Sequence, residues 1–203
     1  MSWDDMDVVV GVTLAILVAA GLAYTGHTWL GRRERADRDA LLAWASNAGW
    51  RVLGAADVVA AFGAEGHAVT TALSGTRDGH DMVVGIFVDA ENPRTVCRVR
   101  VPGVGAPLTV RRRPTVRLPL VGGNGELSMF DRRYVVDAGR EVLAPRAEAA
   151  IAATDVSHLS VDRDILIMTA RFWVDASRLD TFTGRAAAVA SVLNRPPQTP
   201  PAG

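Results

Sequence analysis

The chain has 203 residues, with 22 basic and 22 acidic side chains and a formal net charge of +0. That balance argues against a general nucleic-acid binder, which needs a basic field to hold phosphates. Cys97 is the single cysteine, so an internal disulfide is excluded, and with no lysine present arginine supplies all of the fixed positive charge.

Val8 to Leu30 is an almost unbroken apolar stretch, interrupted only by His27. It predicts one membrane-spanning helix, since about 20 apolar residues at about 1.5 Å each cross a hydrocarbon core of about 30 Å. Trp3 and Trp29 bracket the stretch and on a helix stand about 39 Å apart, which sets an indole at each membrane interface. Asp4, Asp5 and Asp7 precede the span, whereas Arg32, Arg33, Arg35 and Arg38 follow it. Positive charge stays on the cytoplasmic side, so residues 1–7 form a short tail outside the plasma membrane and the chain from Gly31 onward is cytoplasmic. Arg32, Arg33 and Arg35 then meet the inner headgroups. The acidic start argues against a cleavable signal peptide, which carries a basic one. Gly11, Ala15, Ala19 and Ala23 lie along one face of the span, where small residues let two helices pack as a weak homodimer. In an alanine-rich helix the same ladder also arises from composition alone.

Residues 31–48 read as a juxtamembrane helix, with Leu41, Leu42, Trp44, Ala45 and Ala48 gathered mostly on one side. Asn47 to Gly49 ends it, and a short helix is expected near Ala56 to Phe62. The period then changes to two. Val69, Thr71 and Leu73 alternate towards a turn region from Gly75 to Gly79, and Met82, Val84, Ile86 and Val88 alternate after it, which predicts a β-hairpin. Thr95 to Val101 gives a further strand, with Val96, Arg98 and Arg100 on the face away from Cys97, Val99 and Val101. Cys97 is expected as a small buried hydrophobe in a reducing compartment. Leu108 to Val110 and Val116 to Val121 read as short strands that Pro107, Pro114 and Pro119 push to an edge. Gly122 to Gly125 form a tight loop, and Tyr134 to Asp137 a strand. A helix from Ala144 to Ala153 has Pro145 in its first turn, where the missing N–H costs nothing, and buries Ala147, Ala150 and Ile151. His158 to Val161 and Ile165 to Ala170 form a second hairpin across Asp162, Arg163 and Asp164. Leu179, Phe182, Ala186, Val189 and Leu193 repeat at helical spacing from Arg178 to Asn194, an amphipathic helix that should lie on the sheet. Residues 195–203, rich in proline, read as an extended, disordered tail.

Strands in hairpins with helices at the start, middle and end predict an α+β fold, a mostly antiparallel sheet with flanking helices over residues 49–194. With these features in view, the whole chain resembles an uncharacterised family of actinobacterial single-pass membrane proteins with a cytoplasmic domain of unknown function. The likeness rests on the order of the span, the arginines from Arg32 to Arg38, LLAWASNAGWRV (Leu41 to Val52) and LSGTRDGHDMVVGIF (Leu73 to Phe87). FDRRYVV (Phe130 to Val136), VLAPRAEAAI (Val142 to Ile151) and the closing helix complete it. The resemblance implies an architecture and no activity.

The densest local charge is Arg111, Arg112 and Arg113 with Arg117 close behind. A loop bearing those guanidinium groups suits anionic lipid or phosphate, while alternating arginines on an outer strand face also blunt edge association. His67, His80 and His158, with Asp78, Asp81 and Asp131, have no metal-ligand or catalytic spacing, and His80 reads as a turn residue. Ser74, Gly75 and Ser128 lack a nucleophile elbow, and Gly122 to Gly125 lack the lysine of a phosphate loop. No catalytic, metal or cofactor site is expected. The leading expectation is a non-enzymatic domain tethered to the bilayer that binds a protein partner or the inner-leaflet surface, with no nucleic acid. The alternative is a membrane-associated enzyme or small-ligand domain whose site joins distant residues such as His67, His80 and Asp131.

Overall fold

The computed structural model describes residues 36–87, 94–104, 106–114, 128–171 and 175–194. Several expectations lie outside the described residues: the span from Val8 to Leu30, its interface residues Trp3, Trp29, Arg32, Arg33 and Arg35, and its small-residue face. Arg117, the strand at Val116 to Val121, the glycine loop and the proline-rich tail lie outside them too. Among the described residues no helix is long and apolar enough to cross a membrane. The chain divides into two compact units, Met1–Ala43 and Trp44–Gly203. Of the first, residues 36–43 are described, and they are the opening turns of helix α1 (residues 36–47).

The second unit is an α+β fold on one sheet. In chain order its elements are β1 (Arg51–Val52), α2 (Ala55–Phe62), a 3-10 helix (Gly63–Ala68), β2 (Val69–Arg77), β3 (His80–Phe87), β4 (Arg94–Arg100) and β5 (Leu108–Arg112). Then come α3 (Met129–Arg133), β6 (Tyr134–Ala138), a second 3-10 helix (Arg140–Val142), α4 (Pro145–Ala152), β7 (His158–Asp162), β8 (Ile165–Ala170) and α5 (Ala176–Leu193). Among the described residues the 8 strands run β1-β2-β3-β4-β8-β7-β5-β6. Every pairing is antiparallel.

Residues directly opposed across strands share a face, so the register sorts the sheet into two surfaces. One row crosses Leu73, Val84, Cys97, Met168, Leu159 and Val110, from β2 to β5. None of these six is more than 1% exposed. Burying each such side chain contributes about 1.5–3 kcal/mol before conformational entropy is charged against it, which makes this row the centre of the core. The adjacent row, Ser74, Val83, Arg98, Ile167, Ser160 and Thr109, points the other way and is half-buried throughout.

Helices cover the first face. α5 buries Leu179, Phe182, Ala186 and Val189 as its spacing predicts, while Leu193 is only half-buried. Asp175 caps it by accepting from the Arg178 backbone N–H at 2.8 Å. α4 carries Pro145 in its first turn and buries Ala147, Ile151 and Ala152, with Ala150 half-buried. Trp50 lies flat against Gly75 on this face, where an added Cβ would come within 2.4 Å of the indole. The Trp44 ring is 5.5 Å from Trp50 at 47°.

The first hairpin turns more tightly than its glycines suggested. β2 continues through Gly75 to Arg77, and the turn is Asp78 and Gly79 alone, with φ of 50° and 80°. Asp-Gly suits such a two-residue turn because both central positions need positive φ. His80 is therefore a strand residue opposite Arg77, and not a turn residue. A register shift between Val69 and Thr71 interrupts the alternation expected there. The expectation of an edge position for Leu108 to Val110 is also corrected: β5 is paired on both sides, with β7 and β6. Pro107 and Pro114 flank the ladder without entering it, so neither removes a donor. Helix α3 was not expected. Ser128 caps it, accepting from the Asp131 N–H at 3.1 Å while donating to the Asp131 carboxylate at 2.7 Å, a local arrangement that offsets the short length.

Candidate functional site

The outer face of the sheet is covered at one end only, among the described residues. Phe62, at the end of α2, lies over Gly85, where an added Cβ would stand 2.7 Å from its ring. The same ring meets Phe87 edge-on at 5.7 Å. Arg94 closes this end, with its guanidinium 4.6 Å from the Phe87 centroid and 3.1 Å from a Glu65 carboxylate oxygen.

Beyond that cover no described element lies over the face. Val83, Ile165, Ile167 and Val135 are half-buried apolar side chains on it, where a one-sided antiparallel sheet ordinarily turns polar groups to water. Arg98 stands in the middle, on central strand β4, opposed by Val83 on one side and Ile167 on the other. Its exposure is intermediate and, among the described residues, no carboxylate or carbonyl holds it. In the neighbouring row Thr169, His158 and Arg111 follow one another across β8, β7 and β5.

Arg111 and Arg112 lie in β5, on opposite faces, and not in a loop. Arg111 Nε donates to Asp137 Oδ2 at 2.7 Å, and Arg112 Nη1 donates to Asp155 Oδ1 at 2.7 Å. Arg113 Nε donates to the Asp131 carbonyl at 2.8 Å, and its backbone N–H to the Arg133 carbonyl at 2.8 Å. Each of the three thus has an acceptor of its own.

The other sequence candidates are held by separate elements. His67 is exposed on the 3-10 helix. His80 Nε2 is 2.9 Å from the Ser191 hydroxyl on α5. Asp131 lies on α3, 3.3 Å from Arg140, which also reaches Glu148 at 2.8 Å and sits 5.3 Å over the Phe130 ring. Among the described residues no cluster of histidine, cysteine or carboxylate side chains is arranged to hold a metal. Burial pushes the Cys97 thiol up to about 12, the opposite of what a nucleophilic cysteine needs.

No family model and no curated protein matches the chain. Among solved structures it is similar to the crystal structure of the mycobacterial trehalose monomycolate transport factor A, TtfA, with 14% identity and a TM-score of 0.52. The match covers 80% of this chain and 97% of that one. At this identity the likeness shows the fold alone. The mycobacterial source of the neighbour is in keeping with the actinobacterial resemblance read in the sequence.

Arg98 was legible as a residue facing away from Cys97, but its importance was not. The available signal was a guanidinium placed between Val96 and Cys97 on one side and Val99 on the other, in a strand apolar enough to be central.

Proposed function

We propose that this protein is a membrane-tethered, non-catalytic binding domain, anchored by Val8 to Leu30 with its α+β unit in the cytoplasm, and that the open sheet face receives a protein partner. The observation that carries this reading is the one-sided sheet: among the described residues, apolar Val83, Ile165 and Ile167 surround an Arg98 without an acceptor, on a face that helices cover at one end only. Interface centres are enriched in arginine set among apolar side chains, as Arg98 is here. Tethering adds effective concentration, so a patch of modest affinity suffices on a membrane. The fold is shared with a protein named as a trehalose monomycolate transport factor, and a transport-related role is in keeping with a tethered binding domain.

Arg111 to Arg113 are less suited to headgroup binding, since each would have to leave an acceptor at 2.7 or 2.8 Å. The test is the size of the detergent-solubilised complex from native membranes. The full chain should migrate well above its own 21.6 kDa, and Ile167→Asp should collapse that species. Arg185→Asp, on the exposed side of α5, should leave it intact. A complex indifferent to Ile167→Asp would contradict the placement of the surface.

A further inference from the structure

The open face carries more than a general affinity for protein, and resting on the reading above, we infer that Arg98 is the anchor for a carboxylate presented by an apolar segment of the partner polypeptide. The chemistry is specific to the position. A guanidinium on an exposed rim is hydrated and contributes little, but Arg98 is half-buried between Val83 and Ile167, and their side chains keep water from its flanks. A long arginine side chain can lay its methylenes on such neighbours and present only its planar head, ready for two parallel hydrogen bonds to one carboxylate.

The other cations of this face differ. Arg94 is held by Glu65 at 3.1 Å, and Arg111 by Asp137 at 2.7 Å. Arg100, at the end of the same strand, is exposed, with Asp81 extending its register on one side and Ile165 opposite on the other. Arg98 therefore combines partial burial, a central strand and, among the described residues, no carboxylate of its own, so its charge is the one a partner most gains by neutralising. The row of half-buried Ile167, Val83, Ser160 and Thr109 suits an extended or helical segment with apolar residues beside the acid. A small ligand would instead seek a concave site that buries most of its surface.

The experiment places a photo-crosslinking amino acid at Ser160, at Thr109 and, as a control, at Arg185 in the full chain in its own membranes, followed by sequencing of the cross-linked peptide. Ser160 and Thr109 should give one polypeptide, joined at a segment that contains Asp or Glu among apolar residues, and Arg185 should not. Arg98→Gln and Arg98→Glu should abolish that product while Cys97 stays unreactive to maleimide, which shows that the sheet is intact. Reversing the partner's acid to arginine should restore the product with Arg98→Glu. The inference is overturned if cross-linking persists in both Arg98 variants, and in that outcome the binding face itself survives. It is also overturned if the product is lipid or a second copy of this chain, or if Arg185 alone cross-links, and the last result would remove the binding face as well.

Discussion

Arg77 and Asp180 join the turn end of the first hairpin to α5, with Arg77 Nη1 2.6 Å from Asp180 Oδ1. Opposite Arg77 in the same hairpin, His80 meets Ser191 in the last turns of that helix at 2.9 Å. Two cross-strand neighbours thus fix one helix near both of its ends. The hydrogen bond from Arg77, with its charge and a hydrogen bond from Trp44 as smaller causes, holds the Asp180 carboxyl below the usual aspartate range against an opposing effect of burial.

Arg77→Ala should therefore lower stability modestly, by about 0.5–1 kcal/mol, because both side chains remain partly exposed and solvent screens the pair. The sign with pH follows from the depressed carboxyl. Its contribution is complete above the unfolded value of about 3.9 and is lost as pH falls through the lower folded value. Urea midpoints measured from pH 6 down to pH 3 should show a smaller acid loss in Asp180→Asn than in the parent. An equal loss would assign the acid sensitivity elsewhere.

Gly85→Ala places a methyl group 2.7 Å from the Phe62 ring, so α2 must shift from the outer face. Overpacking of this kind costs about 1–3 kcal/mol, and the denaturation midpoint should fall accordingly. Adding Phe62→Leu should recover part of the loss, since a smaller side chain opens the space. A double variant no better than Gly85→Ala would mean that the ring is not the obstacle.

Thr95 is fully buried, and its hydroxyl has no hydrogen-bond partner in the described structure. Thr95→Val keeps the branched shape and removes a desolvated polar group, so thermal denaturation should show a gain of about 1 kcal/mol. A loss would show that the hydroxyl is satisfied after all.

The elements with strong periodicity were legible in the sequence. Both hairpins, the Cys97 strand, the Pro145 helix and the closing amphipathic helix all follow from side-chain spacing, because each buries a single face or stripe. The failures have physical causes. Gly75 looked like a turn residue but serves as a flat place for Trp50, a contact that is distant from any local rule. Pro107 and Pro114 argued for an edge, yet they bound β5 from outside, and pairing partners cannot be read from one strand. Helix α3 has 5 residues, too few for a helical period, and only the Ser128 and Asp131 pair announced it. The outer face was least legible of all, since Arg98 becomes isolated only when β3 and β8 bring Val83 and Ile167 to its sides.

The proposed placement of this face in the cell depends on the proposed anchor from Val8 to Leu30, and Cys97 makes that placement measurable. Its thiol is buried and pushed up to about 12, so it should stay unlabelled by a membrane-impermeant maleimide at pH 7.5 until the domain is unfolded. Ser2→Cys and Ala202→Cys in the full chain then report the two sides of the membrane without removing Cys97. The account predicts that position 2 is labelled in intact cells and that position 202 is labelled only after the membrane is opened. Labelling of position 202 in intact cells, with position 2 protected, would reverse the topology and remove the open sheet face from the cytoplasm.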